Sequence, residues 1–167
     1  MKHIIKHLLF ALFLISVSVC ASAQTVRYSY KIFSPEGCIM EYGIIKQESQ
    51  YYIFSTVHSD RMQFLNESTM KIRTFNDEVI TLQGEVISSG SKTAGVVCGY
   101  AVVPETELIS TAQFAITPEE LEMLNHGVAK VRLTMIPMDH ERTFAKDKIG
   151  KKLYQFYLKA KAKDDDF

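Results

Sequence analysis

The sequence predicts an α+β domain with a mostly antiparallel sheet (a curled sheet, a sandwich or an open barrel), one short capped helix at about residues 117–126 and a C-terminal helix at about 146–162. Three observations predict it. About seven to nine short runs alternate apolar and polar side chains, the period of a half-buried strand. The turns between them have hairpin length, too short for parallel crossovers. Helical signals are confined to two places, one rich in capping residues and one with a 3.6-residue apolar stripe.

Residues 25–33 alternate cleanly: Val26, Tyr28, Tyr30 and Ile32 point one way, and Arg27, Ser29 and Lys31 the other. Ser34-Pro35-Glu36-Gly37 fits a type I turn, with proline at i+1 and glycine at i+3. Residues 38–46 follow, with Cys38, Met40, Tyr42 and Ile44 on one face, so the two runs read as a hairpin. A polar turn leads to 51–57, rich in aromatic and β-branched residues. His58-Ser59-Asp60 breaks the pattern, and the apolar piece 62–65 has no assignable state. Residues 69–75 alternate again, and Asn76-Asp77 turns the chain into a strand at 79–87. The run Ser88-Ser89-Gly90-Ser91-Lys92-Thr93-Ala94-Gly95 reads as a flexible loop. The apolar run 96–103 reads as a central strand stopped by Pro104, and 108–116 as a further strand.

The clearest local signal is at residues 116–127. Thr117 suits the N-cap, Pro118 the first helical position, and Glu120 completes a capping box. Ile116 and Leu121 suit a hydrophobic staple, His126 the last turn, and Gly127 the left-handed position past the end. A strand at 128–136 follows at once. The helix is therefore expected to be a crossover, and if its two flanking strands share a sheet they are expected to run parallel there. In the tail, Ile149, Leu153, Phe156, Tyr157 and Ala160 fall within an arc of about 100° at the helical period. Lysines flank that stripe.

The first residues read as a leader and not as part of the fold. Lys2 and Lys6 form a basic start, residues 8–19 an apolar core too short to span a bilayer comfortably, and Ala21-Ser22-Ala23 a small-residue cleavage site. Cleavage there leaves residues 24–167 as one domain. The leader holds two lysines and no acid, so the 19 basic residues fall to 17 against 19 acidic ones. That balance excludes a typical nucleic-acid binder, which would be strongly basic. Export makes a disulfide between Cys38 and Cys98 a candidate, closing a loop of about 60 residues; two buried thiols are the alternative.

No catalytic or metal constellation emerges. His140-Glu141-Arg142-Thr143-Phe144 begins like a zincin helix but has Phe144 where the second histidine must stand. His58 and Asp60 could share one side of an extended segment, with nothing nearby to complete a ligand set. Cys38 or Cys98 with His58, His126 or His140 is arithmetically open as a nucleophile–base pair. Gly90-Ser91-Lys92-Thr93 misses the phosphate-loop pattern because Ser91 separates glycine from lysine. Glu41, Glu48, Asp60, Asp77, Glu78 and Glu85 are candidate carboxylates with no spacing that singles out a pair. No residue of the sequence is assigned as catalytic, cofactor-binding or metal-ligating.

Two pieces together resemble segments of short exported proteins of Bacteroidetes-type bacteria: Met70-Lys71-Ile72-Arg73-Thr74-Phe75 with Asn76-Asp77-Glu78-Val79-Ile80-Thr81-Leu82, and residues 116–133. The Ala-Ser-Ala-Gln end of the leader is similar too. The resemblance implies export (periplasm, outer surface or medium) and architecture, and it carries over no functional residues. The expectation is an exported, non-enzymatic domain that binds a partner protein or small ligand, and no nucleic acid. The alternatives are an envelope module held to a membrane surface by its basic C-terminal helix, and a secreted hydrolase with a carboxylate or Cys/His site.

Overall fold

The computed structural model describes residues 26–33, by backbone alone, and residues 38–162. Residues 1–25, where the leader is expected, residues 34–37, where a turn is expected, and residues 163–167 lie outside the described residues. The order is β1 (Val26–Phe33), β2 (Ile39–Gln47), β3 (Gln50–Ser59), β4 (Thr69–Thr74), β5 (Val79–Cys98), β6 (Ala101–Ile116), α1 (Pro118–Met123), a 3-10 turn (Leu124–His126), β7 (Val128–Leu133), β8 (His140–Thr143) and α2 (Gly150–Ala162). All eight strands join one sheet in the order β1-β2-β3-β6-β5-β4-β7-β8. The fold is α+β, dominated by an antiparallel sheet, with two short helices. None of its described helices is long and apolar enough to cross a membrane.

The alternation explains the face each strand buries. Met40, Tyr42 and Ile44 of β2, Ile53 and Val57 of β3, and Met70 and Ile72 of β4 are buried in one core. β7 adds Val131 and Leu133. Onto this face α2 lays Leu153, Tyr157 and Ala160, all buried, with its lysines outward. Tyr157 meets Tyr51 edge to face, with ring centroids 5.1 Å apart. The opposite face of the central strands holds a buried pair of hydroxyls, Thr56 and Thr111, 2.8 Å apart.

The segment at 117–126 forms as its residues dictate. Thr117 Oγ1 accepts from the Glu120 amide at 3.2 Å, and Glu120 Oε2 accepts from the Thr117 amide at 2.9 Å, so the capping box is complete. Ile116 and Leu121 are both buried, as a staple requires. The last turn tightens to 3-10 geometry, and Gly127 takes a positive φ of 77° but with ψ 160°, so it leaves the helix extended and not in the left-handed helical conformation expected. The crossover, however, carries the chain past β5 and β4 before β7 begins. β6 and β7 therefore never touch, and three antiparallel steps between them leave them running in opposite directions. The expected parallel pair does not form, because the helix bridges two intervening strands, roughly 14 Å of sheet at the usual spacing.

Other boundaries also move. The tail from His140 first makes β8 against β7, and α2 starts at Gly150, not 146. Asp147 sets that start: its Oδ1 accepts from Gly150 N at 2.8 Å and its Oδ2 from Lys151 N at 2.8 Å. The unassigned piece at 62–65 bridges through Phe64 to Ile136.

The largest correction concerns residues 88–103. They form neither a loop nor a central strand. β5 runs unbroken from Val79 to Cys98 apart from a bulge at Val86/Ser88, and β6 runs from Ala101 to Ile116. The apolar run is the tip of one long hairpin. Its turn is Gly99-Tyr100, with Gly99 at φ 63°, the two-residue connection in which glycine is favoured at the first central position. Cys38 and Cys98 accordingly do not form the candidate disulfide. Cys38 is buried beside Met40, with the two sulfurs 3.7 Å apart, whereas Cys98 is exposed at the tip. Register places Cys38 at the level of Ser91, so about seven residues of extended strand, or roughly 23 Å, separate the two levels, against a limit of about 7 Å for a bridge.

Candidate functional site: a free β-ribbon and the notch at its root

β3 pairs with β6 only from Leu108 to Ile116, and β4 pairs with β5 only from Val79 to Gln83. Gly84 N still donates to the Ser68 carbonyl, and beyond Gly84 and Leu108 the hairpin has no paired strand among the described residues. Residues 92–98 and 101–107 thus project as a two-stranded ribbon, roughly 23 Å past the sheet at the usual rise. Every residue from Glu85 to Thr106 is exposed.

The ribbon's chemistry changes along its length. Near the sheet, Lys92 lies opposite Glu107, and Thr93 opposite Thr106 with hydroxyls 3.0 Å apart. From Thr93 to Pro104 no side chain is charged. Val96 faces Val103 on one side and Val97 faces Val102 on the other, so the outer part is apolar on both faces. Val97 is 72% exposed, Val102 69%, and Tyr100 at the apex is fully exposed. Scattered surface valines are ordinary, but a contiguous apolar end on a projecting element marks an interaction site or an aggregation liability.

Where the ribbon leaves the sheet there is a notch of about 370 Å³, lined by Ile39, His58, Asp60, Lys92, Glu105 and Glu107. His58 Nδ1 lies 3.3 Å from Glu107 Oε1, with the imidazole mostly covered. His58 and Asp60, candidates from their spacing in the sequence, both line this notch. The fold also adds Glu105 and Glu107, which no motif pointed to. Their signal was the period of two: Glu105 and Glu107 share a face of β6, and the β3–β6 register places Ile109 beside His58. Among the described residues no group of three or more His, Cys, Asp or Glu is arranged to hold a metal ion.

The remaining candidates are dispersed. Cys38 turns with Met40 into the core, whereas the Ile39–His58 pair faces the other side of the sheet. His140 is buried on β8. His126, at the end of the 3-10 turn, has Nδ1 3.1 Å from Asn76 Nδ2 and 3.3 Å from Glu78 Oε2, which ties the helix to the β4–β5 turn. Glu48 and Asp77 occupy turn positions with positive φ. Glu85 lies across the ladder from Gln113. Residues 90–93 are extended strand, not a phosphate-cradling loop.

Electrostatics elsewhere are local. Lys71 lies opposite Arg132 and Arg73 opposite Lys130 across β4 and β7, two like-charge pairs that would repel. Asp139 and Glu141 offset them: Asp139 Oδ2 accepts from Arg132 at 2.7 Å and Glu141 Oε1 lies 2.7 Å from Lys130 Nζ. The hydrogen bond from Lys130 holds the Glu141 carboxyl below the usual carboxylate range, and Asp139 raises Arg132. Tyr154 donates to Glu122 Oε2 at 2.7 Å, which raises its phenol and links α2 to α1.

No family model, no curated protein and no solved structure matches this chain.

Proposed function

We propose that this protein is an exported, non-enzymatic binding domain, with residues 1–23 removed, and that its interaction element is the ribbon 92–107. The partner is a protein that completes the open edge of the ribbon and covers its uncharged end. The observation that carries this reading is the ribbon itself: both strands are exposed from Lys92 to Thr106, and the outer part is apolar on both faces. Added strands bind through main-chain hydrogen bonds, while side-chain pockets set specificity, so such an edge suits a polypeptide partner. The sheet is best described as open and curled, with α2 packed against β2. A small-ligand form of the same reading has its support in the notch, where Asp60, Glu105 and Glu107 would suit a cationic group.

The test is site-specific photocrosslinking of the full chain in the cell that produces it. A crosslinker at Val97 or Tyr100 should give a discrete adduct. The same group at Lys71, exposed on β4 well away from the ribbon, should give none. Equal labelling from all three positions, or none from the tip, would remove the ribbon as the interaction element.

A further inference from the structure

We infer that the partner is a second copy of this chain, joined through antiparallel pairing of the two β5 edges along residues 88–98. This rests on the reading of the ribbon as the interaction element and gives that element an occupant.

The two edges of the ribbon differ. The outer edge of β6 carries Pro104, Glu105 and Glu107, the kind of guard that discourages strand addition. The β5 edge from Ser88 to Cys98 has no proline and one charge, Lys92, which already faces Glu107 within its own ribbon. The bulge that would twist an edge out of register lies at Val86/Ser88, just before this segment.

The edge is also complementary to itself. A two-fold axis at Thr93 sets Ser88 opposite Cys98 of the second copy, Ser89 opposite Val97, Gly90 opposite Val96, and Lys92 opposite Ala94. Each large tip residue then meets a small one near the root. Past the paired segment, Tyr100 of the second copy arrives at Val86 and Ile87, two apolar side chains exposed at the root of the ribbon. Apolar ends thus meet apolar ends twice, as an isologous contact requires.

The area fits a reversible dimer. An edge of 11 residues is about 36 Å long and a sheet about 10 Å thick, so pairing covers roughly 360 Å² per copy. With the tip-to-root contacts the total reaches about 1,000 Å², the low end for specific interfaces. A reversible monomer–dimer equilibrium is therefore expected.

The test uses the mature full chain. Sedimentation across the micromolar range should show a monomer–dimer equilibrium. Ser89→Lys and Val97→Glu should each weaken it, by about tenfold or more, and the double variant should recover it because the new charges face each other across the axis. Ser88→Cys should crosslink with native Cys98 of the second copy under mild oxidation. Within one chain these positions are about 33 Å apart, so any disulfide between them reports the dimer. A chain that stays monomeric at every concentration, or a Ser88→Cys variant that does not crosslink, would overturn the dimer. If crosslinkers at Val97 or Tyr100 still capture a different protein, the ribbon remains the interaction element and only its occupant changes.

Discussion

The Asp147 carboxylate joins the starts of two elements, β7 and α2. Its Oδ1 accepts from Val128 N at 2.9 Å, at the start of β7, and from Gly150 N at 2.8 Å, at the start of α2. The approach is so close that a side chain at Gly150 would lie 2.6 Å from Val128 N and 2.8 Å from the Gly127 carbonyl carbon. Gly150, which weakens a helix by propensity, is therefore required by contact. We expect Asp147→Ala to lower stability by about 2 kcal/mol, combining a lost cap with an unsatisfied strand amide, as read by urea denaturation. Asp147→Asn should recover part of that loss. A change within about 0.5 kcal/mol would show that solvent replaces the carboxylate.

At the scale of elements, α2 is a core element as well as a basic surface. Leu153, Tyr157 and Ala160 are buried, together with Ile149 just before it. Burial of Leu or Ile contributes about 1.5–3 kcal/mol each, so removing the helix costs most of a small domain's stability. We expect a chain ending at 148 to lose its cooperative thermal transition by circular dichroism. A truncated chain that still melts cooperatively would instead favour the helix as an appendage. This stripe was legible in the sequence because one period ran through one helix. The capping box was legible for the same reason: its partners lie within four residues, so local chemistry decides it. The ribbon was not legible. Serines and glycines at 88–95 resemble a loop when read alone, and valines at 96–103 resemble a buried strand. The missed signal was Gly99-Tyr100, a two-residue turn of the Gly-X kind in the middle of the apolar run. Read as a turn, it makes the flanking segments partners. The notch was illegible for a different reason, since His58 and Glu107 meet only through the β3–β6 register, and register is not written in either strand alone.

At the scale of the whole molecule, one end of the sheet is packed and the other is open. β2, β3 and the inner half of β6 are flanked on both sides, with α2 packed against β2 and Tyr157 against Tyr51 of β3, while the outer hairpin is exposed. Local stability should follow that division. In hydrogen exchange of the monomer, we expect amides at 96–103 to exchange through local opening at near-zero free-energy cost, while Ile53, Phe54 and Phe114 exchange only by global unfolding. Protection of the tip that rises with protein concentration would report pairing of two copies. Protection of the tip in dilute monomer would mean that the ribbon is held by something within its own chain.

β6 belongs to both regions, since the strand that ends at the tip also lies between β3 and β5 in the middle of the sheet. A pull on Tyr100 along the ribbon would not peel the sheet from its border. It would be delivered lengthwise into the interior, where the whole β3–β6 ladder, Tyr51–Ser59 against Leu108–Ile116, must slide at once. Hydrogen bonds loaded side by side share a force that bonds opened in sequence would each bear alone. Load applied at the tip would thus be met at the root by shear of the β3–β6 ladder.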